Sequence, residues 1–311
     1  MHYKRNTMSS KYDLITILGP TASGKTQLAA YVASKLNGEI ISGDSRQVYR
    51  NMSLGTGKDI QDYTVDNTLI PYHLIDIVDA GNKYNVYEYQ KDFFKAYEDI
   101  TKRGNQPILC GGSGLYLESV IRGYKLIAVP DNLELRNWMK GQSNEELIQM
   151  LASYKKLHNQ TDTSNRKRLE RAIEIEEYYS KNNVDETPFP KINNIIFGVR
   201  YSRNNERNRI SCRLKQRLKD GMVEEVKALL ESGVKPEDLI YYGLEYKYLT
   251  QYILGEISWD EMFNQLNTAI AQFAKRQMTW FRRMERNGIE INWIQGNLPL
   301  AEKVNIILDR V

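Results

Sequence analysis

Apolar positions along the chain form two kinds of run. Short unbroken ones come first: in residues 13–18, Leu14, Ile15, Ile17 and Leu18 stop at Gly19, and a brief apolar run closed by glycine reads as a buried strand. Residues 39–42, 73–78, 107–110 and 195–199 read the same way. Between them the period becomes helical. Leu28, Val32 and Leu36 follow Lys25 at helical spacing, and residues 86–102 carry a second such pattern. Strands alternating with helices imply a parallel sheet covered on both faces, so the fold class is α/β. Residues 195–199 belong to the same sheet, so the polar, helix-patterned residues 124–191 leave the core and return. The chain therefore divides into a core of 1–123 and 192–311 and an inserted helical subdomain of 124–191. The rest of the core is helical: 206–231, ended near Gly233 and Pro236; 245–254, ended at Gly255; and 259–286, ended at Gly288.

The first strand and helix enclose candidate chemistry. Gly19-Pro20-Thr21-Ala22-Ser23-Gly24-Lys25-Thr26 matches G-x-x-x-x-G-K-[ST] in the strand, loop, helix context that this pattern requires. The fold is thus P-loop NTPase-like. Glycines let backbone N–H groups converge on phosphate oxygens, the helix N-terminus adds positive charge, and Lys25 brings a mobile cation. Thr26 is placed to ligate Mg²⁺ bridging the phosphates. The loop alone does not distinguish ATP, GTP or another diphosphate. After the second strand comes Gly43-Asp44-Ser45-Arg46-Gln47-Val48-Tyr49, and ligands of open α/β sheets bind at such carboxyl ends. Asp44 has two readings there: a general base that takes a proton from a weak amine nucleophile, or an aspartate that organises Mg²⁺ or caps a turn.

Composition narrows the class. With 311 residues, 41% hydrophobic and 26% charged, the chain suits one or two globular domains with a sizeable core. The first ten residues lack an apolar run, and no stretch approaches the roughly 18 apolar residues of a membrane span. No membrane partner and a cytoplasmic location are expected, with a monomer as the default. Cys110 and Cys212 lie far apart, and His2, His73 and His158 form no ligand cluster, which argues against disulfides and structural zinc. Net charge is only +4, but residues 200–219 hold eight basic side chains against Glu206, and Lys275, Arg276, Arg282, Arg283 and Arg286 form a second run. A bound polyanion and a solvated helix face both fit.

Taken in order, Gly19 to Thr26, Asp44 to Tyr49, Gly55-Thr56-Gly57-Lys58, His73-Leu74-Ile75-Asp76, Gly111-Gly112-Ser113-Gly114-Leu115-Tyr116 and Ala274-Lys275-Arg276-Gln277-Met278-Thr279-Trp280-Phe281-Arg282 resemble the tRNA dimethylallyltransferases, or isopentenyltransferases. The resemblance covers nearly the whole chain. It implies dimethylallyl diphosphate, Mg²⁺ and the anticodon stem-loop of tRNA, with the adenosine 3′ to the anticodon flipped out of its stack to expose its amine. It makes Asp44 the general base, with Lys25, Ser113 and Arg213 also catalytic. It assigns Ser45, Arg46 and Gln47 to the target nucleotide and its neighbours. Ser113 stands where the family usually has threonine, and keeps the hydroxyl. Within Arg209-Ile210-Ser211-Cys212-Arg213, the family's R-I-x-x-R pattern gives Arg213 to the diphosphate, while Arg209 also reads as a surface arginine. Arg136, Arg168 and Arg171 match tRNA-contacting positions of the insertion, and Lys275, Arg276 and Gln277 a tRNA-facing segment of the last long helix. On that helix Lys275, Thr279, Arg282 and Arg286 share one face and Phe273, Trp280 and Met284 another, so core packing is the expectation for Trp280.

Two segments depart from the family. Its Ile-Gly-Tyr-Lys reads Leu244-Glu245-Tyr246-Lys247, and its His-Pro-Asn-Asp run is absent, with Thr161-Asp162-Thr163-Ser164-Asn165 in that neighbourhood. Three other functions share parts of the pattern. An adenylate isopentenyltransferase would use Lys25, Asp44 and Arg213 but needs neither the insertion nor the basic last helix. A small-molecule kinase would use the loop with ATP, and a non-catalytic RNA-binding protein would not need Lys25 with Asp44.

Overall fold

A computed structural model describes residues 10–154, 165–182 and 192–311. His2, His158, residues 161–164 and the expected boundary at 191 lie outside the described residues. The chain divides into two compact units, Met1–Tyr124 with Pro190–Val311, and Lys125–Phe189.

In the first unit, β1 (Leu14–Leu18) is wholly buried. Its residues alternate between the two faces of the sheet: Ile15 and Ile17 join one apolar cluster, Leu14 and Leu18 the other. A glycine loop leads into α1 (Lys25–Leu36), which buries Leu28, Val32 and Leu36 and ends at Asn37 in the left-handed conformation. Next come β2 (Gly38–Ser42), a hairpin of β3 (Thr64–Val65) and β4 (Thr68–Leu69), and β5 (Tyr72–His73). A capping box of Asn85 and Glu88 starts α2 (Val86–Lys102), which is followed by β6 (Gln106–Gly111) and α3 (Gly114–Ile121).

The second unit holds α4 (Leu133–Met139), α5 (Asn144–Tyr154) and α6 (Arg166–Lys181), packed around Met139, Leu147, Leu151, Leu169 and Ile173. The chain then resumes the sheet with β7 (Asn194–Arg200). Helices α7 (Arg203–Lys219), α8 (Met222–Glu231), α9 (Pro236–Tyr242), α10 (Leu244–Ile253) and α11 (Trp259–Arg286) follow, then β8 (Asn292–Gln295) and α12 (Leu300–Leu308).

The six-stranded sheet has the order β5-β2-β6-β1-β7-β8, with every pairing parallel. The carboxyl ends of β1, β2, β6 and β7 therefore share one edge. Helices α1 and α12 cover one face; α2, α3 and α11 cover the other.

Two expected elements differ. The strand foreseen over 73–78 contracts to Tyr72–His73, because Leu74 and Asp76 adopt φ of 61° and 55° and break the extended backbone; Val78 keeps one bridge to Tyr49. The single helix foreseen over 206–231 is two, broken at Gly221, where φ is 98°. Strand β8, with one fully buried position in Asn-Trp-Ile-Gln, offers no apolar run to detect.

Candidate active site

Each parallel strand delivers one part of the site to the shared edge. After β1, Ala22 and Gly24 take left-handed φ of 60° and 77°, which bends the loop into a cradle of N–H groups. Helix α1 begins there with no side-chain cap, so its first N–H donors remain for an anion. Gly19 is required by close approach: a Cβ would stand 2.7 Å from Ser23 Oγ and 3.0 Å from Val199 O. Pro20 and Ser23 are buried, and Ser23 Oγ has no hydrogen-bond partner among the described residues. Lys25 Nζ lies 3.4 Å from Asp44 Oδ2.

Beyond β2, Asp44 Oδ1 accepts from Gly112 N–H at 2.7 Å. Ser45 N–H donates to Ser113 Oγ at 2.9 Å, and the two hydroxyls are 3.1 Å apart. Ser113 thus ties the loop after β6 to the loop after β2. Arg46 lies over the Tyr242 ring, 5.5 Å from its centre. Gln47 is buried: its side-chain carbonyl accepts from Ser42 Oγ at 2.9 Å and its amide donates to Gly57 O at 3.2 Å. Both ends of that side chain are occupied within the protein.

Helix α7 forms the opposite wall. Arg209, exposed on α7 and stacked on Tyr201 at 4.6 Å, donates from Nε to Ala22 O at 2.9 Å and so braces the phosphate loop. Arg213 Nη2 donates to Asp59 Oδ2 at 2.7 Å, and the buried Arg217 binds the same carboxylate at 3.0 Å. Burial pushes the Asp59 carboxyl up, but Arg217 and Arg213 outweigh it and hold it below its usual range. Asp62 is raised by burial and by its neighbour Asp59. Thr21, Ala22, Gly24, Lys25, Thr26, Asp44, Gln47, Asp59, Asp62, Arg209 and Arg213 face one cavity of about 400 Å³. Its wall combines an anion cradle, three cations and one carboxylate beside the cradle lysine.

A family model described as IPP transferase matches residues 47–284 of this chain. The chain belongs to the IPP transferase family. It is 61% identical over 300 residues to tRNA dimethylallyltransferase 2 of Bacteroides fragilis, covering 96% of this chain and 98% of that one. Two solved structures match it over 96% of this chain and 97% of theirs. They are the tRNA delta(2)-isopentenylpyrophosphate transferase of Staphylococcus epidermidis, at 32% identity and a TM-score of 0.67, and the tRNA isopentenylpyrophosphate transferase of Bacillus halodurans, at 29% and 0.69.

The remaining candidate residues of this IPP transferase family member divide by environment. Lys275 and Arg276 are exposed on α11, whereas Gln277 between the apolar turns is buried. The expectation of an outward Lys275-Arg276-Gln277 segment therefore fails at Gln277, whose position, two residues on from Lys275, turns it inward on the helix. Gln277 Oε1 accepts from Thr21 N–H at 2.9 Å and Nε2 donates to Gly112 O at 2.8 Å. Trp280 is half-buried against Gly114 and donates to Glu118 Oε2 at 2.9 Å. The buried stripe of α11 runs Leu266, Ile270, Ala274, Gln277, Phe281, Met284, so Phe273 and Trp280 flank it.

In the second unit Arg136 and Arg171 both pair with the buried Glu174, at 2.7 Å and 3.0 Å, and Arg136 also binds Asp131. Expected as tRNA contacts, they also neutralise Glu174, because a buried carboxylate requires counter-charge, and both remain partly exposed. Arg168 is exposed. Glu245, where the family has glycine, is half-buried at the start of α10; burial raises its carboxyl while Arg217, Arg213 and Arg46 pull it down. Asp59, which directly follows the Gly55-Thr56-Gly57-Lys58 segment, also reaches the site, as do Asp62 and Tyr242, and none of the three was singled out from the sequence.

Proposed function

We propose that this chain transfers the dimethylallyl group of dimethylallyl diphosphate to the exocyclic amine of the adenosine 3′ to the anticodon in tRNA, releasing diphosphate. The observation that carries the reading is Asp44: a single carboxylate, 3.4 Å from the phosphate-loop lysine, set in the wall of the anion cradle. The diphosphate binds the loop N–H groups, Lys25 and Arg213, which leaves Asp59 to do so. As the allylic C–O bond breaks, its electron pair goes to the diphosphate oxygen, and those cations stabilise the charge that gathers there. The adenine nitrogen forms the new C–N bond and gives its proton to Asp44. Gly112 N–H aims the carboxylate, and Ser113 holds Ser45 beside it.

Hard oxygen ligands of Thr26, Asp44, Asp59 and Asp62 face the cavity, and among the described residues no cluster of three or more His, Cys, Asp or Glu side chains builds a metal cage. That donor set fits Mg²⁺, an ion commonly held by one or two protein oxygens together with substrate phosphates. Thr26 would hold it, and when bound it would neutralise diphosphate charge. Lys275, Arg276 and Arg168 are exposed cations suited to RNA phosphate, and Arg46 with its tyrosine neighbour is suited to a base near the target. Among the described residues no helix is long and apolar enough to cross a membrane, and a cytoplasmic monomer is the reading in keeping with a tRNA substrate.

Labelled dimethylallyl diphosphate supplied with unmodified tRNA and AMP in parallel tests the proposal: label enters tRNA, and label in AMP alone overturns it. Asp44→Asn keeps tRNA affinity and lowers turnover by roughly 10²- to 10⁴-fold, the scale of a lost general base. Removing divalent cations with a chelator abolishes transfer, and Mg²⁺ restores it.

A further inference from the structure

Gln277 occupies a position in the site that its place in a basic, RNA-facing segment does not foretell. An N–H can meet only its carbonyl oxygen and a C=O only its amide nitrogen, so the bonds from Thr21 N–H and to Gly112 O fix the orientation of the side chain. Thr21 belongs to the phosphate loop. Gly112 is the residue whose N–H aims Asp44. One buried amide therefore joins the loop that holds the leaving group to the peptide that holds the base, and it stands on the helix that exposes Lys275 and Arg276. The surroundings are tight: a methyl at Gly112 would overlap Gln277 Nε2 and stand 3.0 Å from Gly19 O and 3.2 Å from Asp44 Oδ1.

We infer that Gln277 is a positioning residue for the prenyl transfer: it sets the distance between the phosphate loop and Asp44, and it does not bind RNA. The inference rests on the proposed function. Its bonds go to two backbone groups on separate loops, both at the reacting edge of the sheet, and no other side chain among the described residues is recorded bonding to both. Because Gln277 is buried, an RNA phosphate has no route to it while the site keeps this form. Lys275 and Arg276, the two preceding residues, point outward and remain the members of the segment suited to RNA phosphate.

Two variants separate this role from RNA binding. Gln277→Leu keeps approximate size and loses both bonds; its kcat falls about 10- to 100-fold, the scale of a misplaced catalytic group. Its affinity for tRNA and the salt dependence of that affinity match the unaltered protein. Its affinity for inorganic diphosphate, titrated with Mg²⁺ present, drops because Thr21 is released. In Gln277→Glu an ionised carboxylate accepts from Thr21 N–H but repels Gly112 O, whereas the protonated acid makes both bonds. The ratio of its kcat to that of the unaltered protein therefore rises as pH falls. Unchanged kcat in Gln277→Leu, a loss carried entirely by weaker tRNA binding, or a ratio flat with pH would each overturn the inference. Should Gln277→Leu fail to fold, the pH ratio decides. Failure of the unaltered protein to label tRNA would instead sink the proposed function, and diphosphate affinity then reports on Gln277 alone.

Discussion

Glu39 and Gly112 show how a single position controls stability in one case and chemistry in the other. Glu39, buried at the amino end of β2, accepts from Arg103 Nη2 at 2.7 Å and from Asn105 at 2.6 Å, and lies 2.6 Å from His73 Nε2. Burial raises its carboxyl, but these bonds outweigh burial and bring it down to about 2 from 4.5. A carboxyl whose folded value is depressed contributes stability above its unfolded value and loses it as pH falls toward the folded one. Glu39→Gln should therefore cost roughly 2–3 kcal/mol at pH 7. Denaturant melts of the two proteins should converge as pH falls from 4.5 toward 2, and a constant gap would refute the assignment. Gly112→Ala forces a methyl onto Gln277 and Asp44. Turnover should fall at least about 10-fold from the displaced base, with tRNA affinity retained. The glycine loop, Asp44 and Arg213 were legible in the sequence because each lies in a dense local motif. Asp59 and the inward turn of Gln277 were not, since their partners, Arg213, Arg217, Thr21 and Gly112, stand more than a hundred residues away.

Helix α11 is where element-scale reading succeeds furthest. Its observed bounds, Trp259–Arg286, match the expected ones because both ends carry local signals, the capping box of Ser258 with Glu261 and Gly288 at φ 85°. Periodicity identified the helix but misplaced the centre of its buried stripe by one position, since a glutamine sits where an apolar residue would have marked it. Replacing Lys275 and Arg276 together by alanine should weaken tRNA binding most at low salt and flatten the slope of log affinity against log salt by roughly one to two. An unchanged slope would show that this face does not meet phosphate. The break between α7 and α8 depends on a left-handed Gly221, so Gly221→Ala should cost about 1–2 kcal/mol in thermal or denaturant melts. The one-helix reading of 206–231 predicts the opposite sign, because alanine favours a continuous helix.

For the whole molecule, the decisive features are a sheet with one functional edge and two separately packed units. The second unit has a small core, so Leu151→Ala, at a fully buried position, should cost that unit about 2–5 kcal/mol. Limited proteolysis would then cut within 125–189 first, while the flanking parts of the first unit survive; cleavage spread evenly over the chain would contradict separate cores. Alternation of strand and helix, the glycine loop and the basic runs determined, without coordinates, an α/β sheet that presents a phosphate site, because those signals act between residues close in sequence. Tertiary structure alone decided what each arginine meets. Arg136 and Arg171 close on Glu174, Arg209 braces the loop, and Arg213 waits on Asp59. A guanidinium carries the same charge everywhere, and its role depends on which carboxylate or carbonyl the folded chain brings within hydrogen-bond reach.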